Sequence, residues 1–202
     1  MTPDTVWLSC GVLRDELREL HSRGLITGEL VFFSSMLHMN PPELEATLRA
    51  ALERRAGDEA CLVLVFGDCS ARMLDLVRQF RVGRVDAINC AQLLVGRERY
   101  RQLMREEAFL ILPEWGRRWE HIMKRELGLS KVVAQELMGE NRGVLVYLDT
   151  ALTPIPRQEL ADFSSYSGLP WRVEAASLDH CLAGLLEAQA AAVKVRSGKE
   201  ST

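Results

Sequence analysis

At 202 residues, with 48% hydrophobic and 26% charged side chains, the chain has the balance of a globular protein that can build one good core or two small ones. A net charge of −3 argues against a nucleic-acid surface, which needs a basic excess, and arginines such as Arg97 and Arg99 alternate with glutamates as on solvated helix faces. No apolar run approaches the roughly 20 residues of a membrane span, and no basic-then-apolar leader opens the chain. The expectation is a cytoplasmic protein with no membrane and no nucleic acid among its partners.

Residues 6–11 read as a short strand ending in Cys10-Gly11, followed by a helix whose leucines at 13, 17 and 20 keep helical spacing, with Gly24 beyond its end. Residues 29–33 form a second strand, and residues 34–40 a loop containing His38. Pro41 and Pro42 open a helix, because proline in the first turn gives up an N–H that has no partner there. Leu62, Val63, Leu64, Val65 and Phe66 then run straight into Gly67-Asp68-Cys69-Ser70. A continuous apolar run closed by a turn signal suits a strand covered on both faces, as in a parallel sheet. A helix pattern opens directly afterwards (Met73, Leu74, Val77, Phe80), which would place Cys69 at a helix N-terminus, where a thiolate is favoured. Residues 84–90 read as a weaker fourth strand ending at Cys90, and residues 91–95 start another helix.

The second half repeats this style. Residues 108–112 form a strand closed by Pro113, Glu114 and Trp115, and Trp119, Ile122, Met123 and Leu127 line the next helix. Ser130 resembles an N-cap, residues 144–148 a buried strand ending at Asp149, and residues 171–174 an edge strand before a last, alanine-rich helix over 178–193. Strand–helix alternation at this rhythm predicts an α/β fold with a mostly parallel sheet, flanking helices and Rossmann-like βαβ units. It forms one domain over residues 1–195 with a polar tail at 196–202, or two lobes divided as 1–107 and 108–195.

Five cysteines without a secretory leader point to free, catalytic or metal-bound thiols rather than a disulfide framework. Cys10, His38, Cys69 and Cys90 each fall at or just beyond the carboxyl end of one of four successive predicted strands. If the strands are parallel, all four face the edge where open α/β sheets bind ligands. Three thiolates and an imidazole suit zinc, and also other thiophilic metals or a corrinoid cobalt. Buried cysteine is equally a common small hydrophobe, which is the reading for Cys61 and Cys181. His21 and His121 read as solvated. Asp68, Asp149 and Trp115 are candidates for binding a cofactor, though strand-end aspartates more often cap helices. No dinucleotide or phosphate-loop glycine motif and no serine-nucleophile elbow is present.

Cys10-Gly11, Leu37-His38-Met39-Asn40-Pro41, Phe66-Gly67-Asp68-Cys69 and the stretch from Asn89-Cys90 to Gly96 occur in that order, followed by a segment from Tyr100 to Trp115. In this the chain resembles the family called domain of unknown function 1638, from about Val6 to Leu186. The resemblance implies a stand-alone cytoplasmic protein of bacteria and archaea, encoded in some genomes near corrinoid-dependent methyltransferases. It supplies no reaction. Ser70 stands where many members have glycine, and residues 111–115 depart from the family's aromatic pattern.

Three functions follow as expectations. The leading one is a metal-binding protein, zinc by its donor set, linked to methyl or thiol group transfer. The alternatives are a metal-free enzyme with Cys69 as nucleophile and His38 as its base, and a non-catalytic accessory or carrier for a small molecule or corrinoid-protein partner.

Overall fold

Among the described residues seven short segments, most of them apolar, become strands, and every strand pairing is parallel. The computed structural model describes residues 4–57 and 59–198. The chain separates into two units, one of Met1–Leu93 with Leu178–Thr202 and the other of Leu94–Ser177. The division falls earlier than residue 107, and the last helix returns to the first unit. Residues 199–202 of the expected polar tail lie outside the described residues.

In the first unit β1 (Thr5–Cys10), β2 (Glu29–Phe33), β3 (Cys61–Val65) and β4 (Gly83–Arg84) form one sheet in the order β2-β1-β3-β4. β1 is buried along its whole length, polar Thr5 and Ser9 included, and β3 nearly so, which is why β3 reads as an uninterrupted apolar run. The connections are α1 (Arg14–Ser22), α2 (Pro41–Arg54) and α3 (Met73–Phe80). α9 (Asp179–Arg196) packs on β3 and β4. A Cβ on Gly83 would lie 2.2 Å from the Ala188 carbonyl oxygen, so glycine there lets the α9 backbone reach the sheet. Trp7 is fully buried beneath this layer, its indole N–H donating to the Thr27 carbonyl at 2.9 Å.

The expected fourth strand over 84–90 contracts to Gly83–Arg84. Val85 and Ala87 are buried and Ile88 is exposed, so the alternation is real. Side chains take over the backbone bonds: the Ile88 N–H donates to Gln92 Oε1, and the Gln92 N–H to Asn89 Oδ1, each at 2.9 Å. Cys90 is thereby the first residue of the short helix α4 (Cys90–Val95), not the end of a strand.

In the second unit Gly96, at φ 78°, breaks α4 from α5 (Arg97–Arg105). β5 (Ala108–Ile111), β6 (Val144–Asp149) and β7 (Trp171–Ala175) form a sheet in that order. α6 (Pro113–Glu120) runs on into a π-helical turn at His121–Glu126, and α7 (Lys131–Asn141) and α8 (Arg157–Ser167) complete the cover. Ser130 caps α7, its hydroxyl accepting from the Val133 N–H at 3.3 Å. Trp119 stacks on Phe163 at 5.0 Å between centroids, beside buried Tyr147 and Leu160. Among the described residues no helix is long and apolar enough to cross a membrane.

Candidate functional site

The order β2-β1-β3-β4 sends the chain from β1 outward to β2 and then back across β1 to β3. The loops leaving the carboxyl ends of β1 and β3 therefore diverge, and in doubly wound sheets ligands bind in that crevice. Ser9 pairs with Val65 in register, so Cys10 closes β1 where Phe66-Gly67-Asp68-Cys69 leaves β3.

Two glycines draw the neighbouring loops in. A Cβ on Gly11 would lie 2.6 Å from the Phe33 carbonyl oxygen, so glycine after Cys10 lets the β1 loop close on the end of β2. A Cβ on Gly67 would lie 2.4 Å from Ile88 O and 2.5 Å from Asn89 Cα. The adjacent Asp68 N–H donates to Ile88 O at 2.9 Å. Cys69 and Cys90 thus sit on two backbones held in direct contact.

The thiols interact. Cys10 is buried, Cys69 and Cys90 are half-buried, and all are reduced. A hydrogen bond between Cys90 and Cys10 is the main influence on Cys90; with burial and the proximity of Cys10, Cys69 and Cys181, it pushes the Cys90 thiol well above its ordinary range. Burial, then Cys10, raises Cys69; the Gly67 backbone and Arg84 pull it down and Asp68 pushes it up, with a net upward shift. Thiolates crowd one another here, and a hydrogen-bonded proton is one way to relieve that. Arg84, its side chain 13% exposed, pairs with Asp68 at 2.7 Å.

His38 lies on the 3-10 turn Ser35–Met39 that follows β2. Its Nδ1–H donates to the Ser35 carbonyl at 2.5 Å, which places the ring's lone pair on Nε2. The structure thus sets Cys10, Cys69 and Cys90 on adjoining backbone segments at one edge of the sheet and places His38 on the turn after β2. Among the described residues no three His, Cys, Asp or Glu side chains are already poised as metal ligands.

The expectation that Cys69 opens a helix is corrected: α3 begins at Met73. Ser70 intervenes, its hydroxyl accepting from the Arg72 N–H at 3.3 Å and its carbonyl from the Met73 N–H at 3.1 Å. The turn separates Cys69 from the helix dipole, which acts mainly within the first turn. Asp149 and Trp115 belong to the second unit. Asp149 Oδ1 accepts from the Ala151 N–H at 2.9 Å, closing the turn after β6, and Trp115 packs against the core around Tyr147. Cys61 and Cys181 are buried, as expected of packing residues.

Sequence reasoning overlooked Arg84, Asn89 and Gln92. A charged residue between Val82-Gly83 and Val85 was the available signal for the first, and Asn89 before a helix for the second.

The profile of a family described as "Protein of unknown function (DUF1638)" matches residues 32–184, and the chain belongs to that family. The matched span holds His38, Cys69 and Cys90 but begins after Cys10, later than the resemblance from Val6 suggested. No curated protein and no solved structure matches the chain.

Proposed function

We propose that this member of the family binds one thiophilic metal ion through Cys10, Cys69 and Cys90 at the β1/β3 crevice, with zinc the best fit to the donors. The observation that carries the reading is the backbone contact of Gly67 and Asp68 with Ile88 and Asn89, which sets the Cys69 loop against the turn of Cys90 at the edge where Cys10 ends β1. Two sulfurs on one tetrahedral zinc, with Zn–S of about 2.3 Å, lie about 3.8 Å apart. Side-chain rotation would have to bring the three sulfurs to that separation, since among the described residues no three such side chains already stand as a metal-ligand group. A cation there would replace the protons that now keep the thiols neutral.

The fourth position decides what such a centre does. His38, with its lone pair on Nε2 and its Nδ1–H tied to a backbone carbonyl, has the tautomer that metal-bound histidines use. A closed Cys₃His shell would be structural and suit an accessory or carrier protein. Left open, the position would admit a thiol, and zinc lowers the pKa of a bound thiol, the activation that methyl transfer to sulfur requires. That chemistry agrees with the corrinoid association the family resemblance implies. Arg84 and Asp68 would hold the Cys69 loop in place.

The metal-free nucleophile reading has weaker support. Cys69 lacks the helix N-terminus, and its thiol is shifted up rather than down.

A short iodoacetamide pulse read by mass spectrometry, with and without chelator, separates the readings. Joint protection of Cys10, Cys69 and Cys90, released by chelator, is expected. Rapid labelling of Cys69 alone, unchanged by chelator, would favour the nucleophile and defeat the metal.

A further inference from the structure

At the opposite, amino-terminal edge of the same sheet lies a cavity of about 370 Å³, within the size range of small-molecule sites. Cys61, the first residue of β3, and Val82, just before β4, form part of its wall, with Leu52 and Phe80 adding apolar surface. Three arginines from three elements line it: Arg55 after α2, Arg81 after α3 and Arg196 at the end of α9. Among the described residues no aspartate or glutamate lines it, in a chain whose net charge is −3.

The arginines are held in place. Arg55 forks onto Glu29 with contacts of 2.7 and 2.9 Å. Arg81 Nη2 donates to the Val195 carbonyl at 2.9 Å, and Arg196 Nη1 to the Ala60 carbonyl at 2.7 Å. The Val195 carbonyl orients the Arg81 guanidinium without neutralising it, and Arg81 has no carboxylate partner among the described residues. Arg81 also sits at φ 52°, the left-handed position after a helix that favours glycine. An arginine there forgoes the local preference and carries its guanidinium to the cavity wall.

We propose that this cavity binds a small phosphate monoester, its phosphoryl oxygens taken by Arg81 and Arg196 and its organic part lying on Leu52 and Phe80. A single guanidinium fork can saturate a carboxylate, whereas a phosphoryl group offers three terminal oxygens and close to two charges to several forks at once. The proposal is independent of the thiol centre at the carboxyl edge.

Calorimetric titration of the full-length protein with phenyl phosphate, inorganic phosphate and benzoate tests it. Phenyl phosphate should bind, inorganic phosphate more weakly for want of the apolar contact, and benzoate weakest. Arg81→Gly relaxes the backbone, so the variant should fold, and it should weaken phenyl phosphate binding about tenfold or more. Arg81→Lys, which keeps the charge, should recover part of that loss. No binding of phenyl phosphate at millimolar concentration would overturn the proposal. So would undiminished binding by folded Arg81→Gly, or benzoate binding as tightly as phenyl phosphate.

Discussion

Gly67 packs its bare α-carbon against the backbone of Ile88, where a Cβ would come within 2.4 Å of the carbonyl oxygen. The contact joins the loop of Cys69 to the turn of Cys90, and the 2.9 Å hydrogen bond from the Asp68 N–H to the same oxygen fastens it. The neighbour is backbone and cannot rotate away. Gly67→Ala should therefore force the loops apart, costing about 1–3 kcal/mol. Chemical denaturation gives the cost. Thiol labelling should show Cys69 and Cys90 reacting faster in this variant, and wild-type stability in Gly67→Ala would refute the account of the motif.

The second unit is expected to be acid-sensitive. Arg99 and Arg172 grip Glu174, Arg99 with bonds of 2.7 and 2.9 Å and Arg172 with one of 2.6 Å. The Arg99 hydrogen bonds foremost hold its carboxyl down at about 2. Because the folded pKa is depressed, the stabilisation is complete above the ordinary carboxylate value. It is lost as pH falls through about 2. Glu174→Gln should cost about 1 kcal/mol at neutral pH, a modest value because the arginines are partly solvated. That difference should vanish in strong acid, as thermal melts across the range would show.

Much of the fold could be read from the chain because its strands are buried runs. Residues 29–33 and the third strand at Cys61–Val65 needed only the apolar pattern and a turn signal. The fourth strand could not be read correctly: Val85 and Ala87 alternate as a strand would, but Gln92 and Asn89 satisfy the backbone that β4 would have paired. The split into two sheets and the return of α9 depend on contacts between residues far apart in sequence, such as Gly83 with Ala188. The same holds for the site. Parallel strands made the meeting of Cys10 and Cys69 legible, and Cys90 joins them from a helix start that strand-end logic did not foresee.

Cys181 should govern part of the alkaline limit. Its burial, reinforced by nearby Glu16, pushes its thiol up to about 12. A raised folded pKa means stability is intact below the ordinary thiol value of 9.0 and falls as pH climbs toward about 12. Cys181→Ala should cost about 1 kcal/mol at pH 7 through the lost packing. It should also flatten the decline in stability above pH 9, measurable by urea denaturation at stepped pH. A decline as steep as in the wild type would contradict the assignment.

The most direct test of the central claim is metal content by mass spectrometry after anaerobic purification without chelator. The wild type should carry about one zinc per chain. Cys69→Ser and Cys90→Ser should carry almost none, while Cys61→Ala and Cys181→Ala should retain it. A folded wild-type protein that stays metal-free after incubation with zinc, or Cys69→Ser and Cys90→Ser variants that keep the metal, would contradict the account.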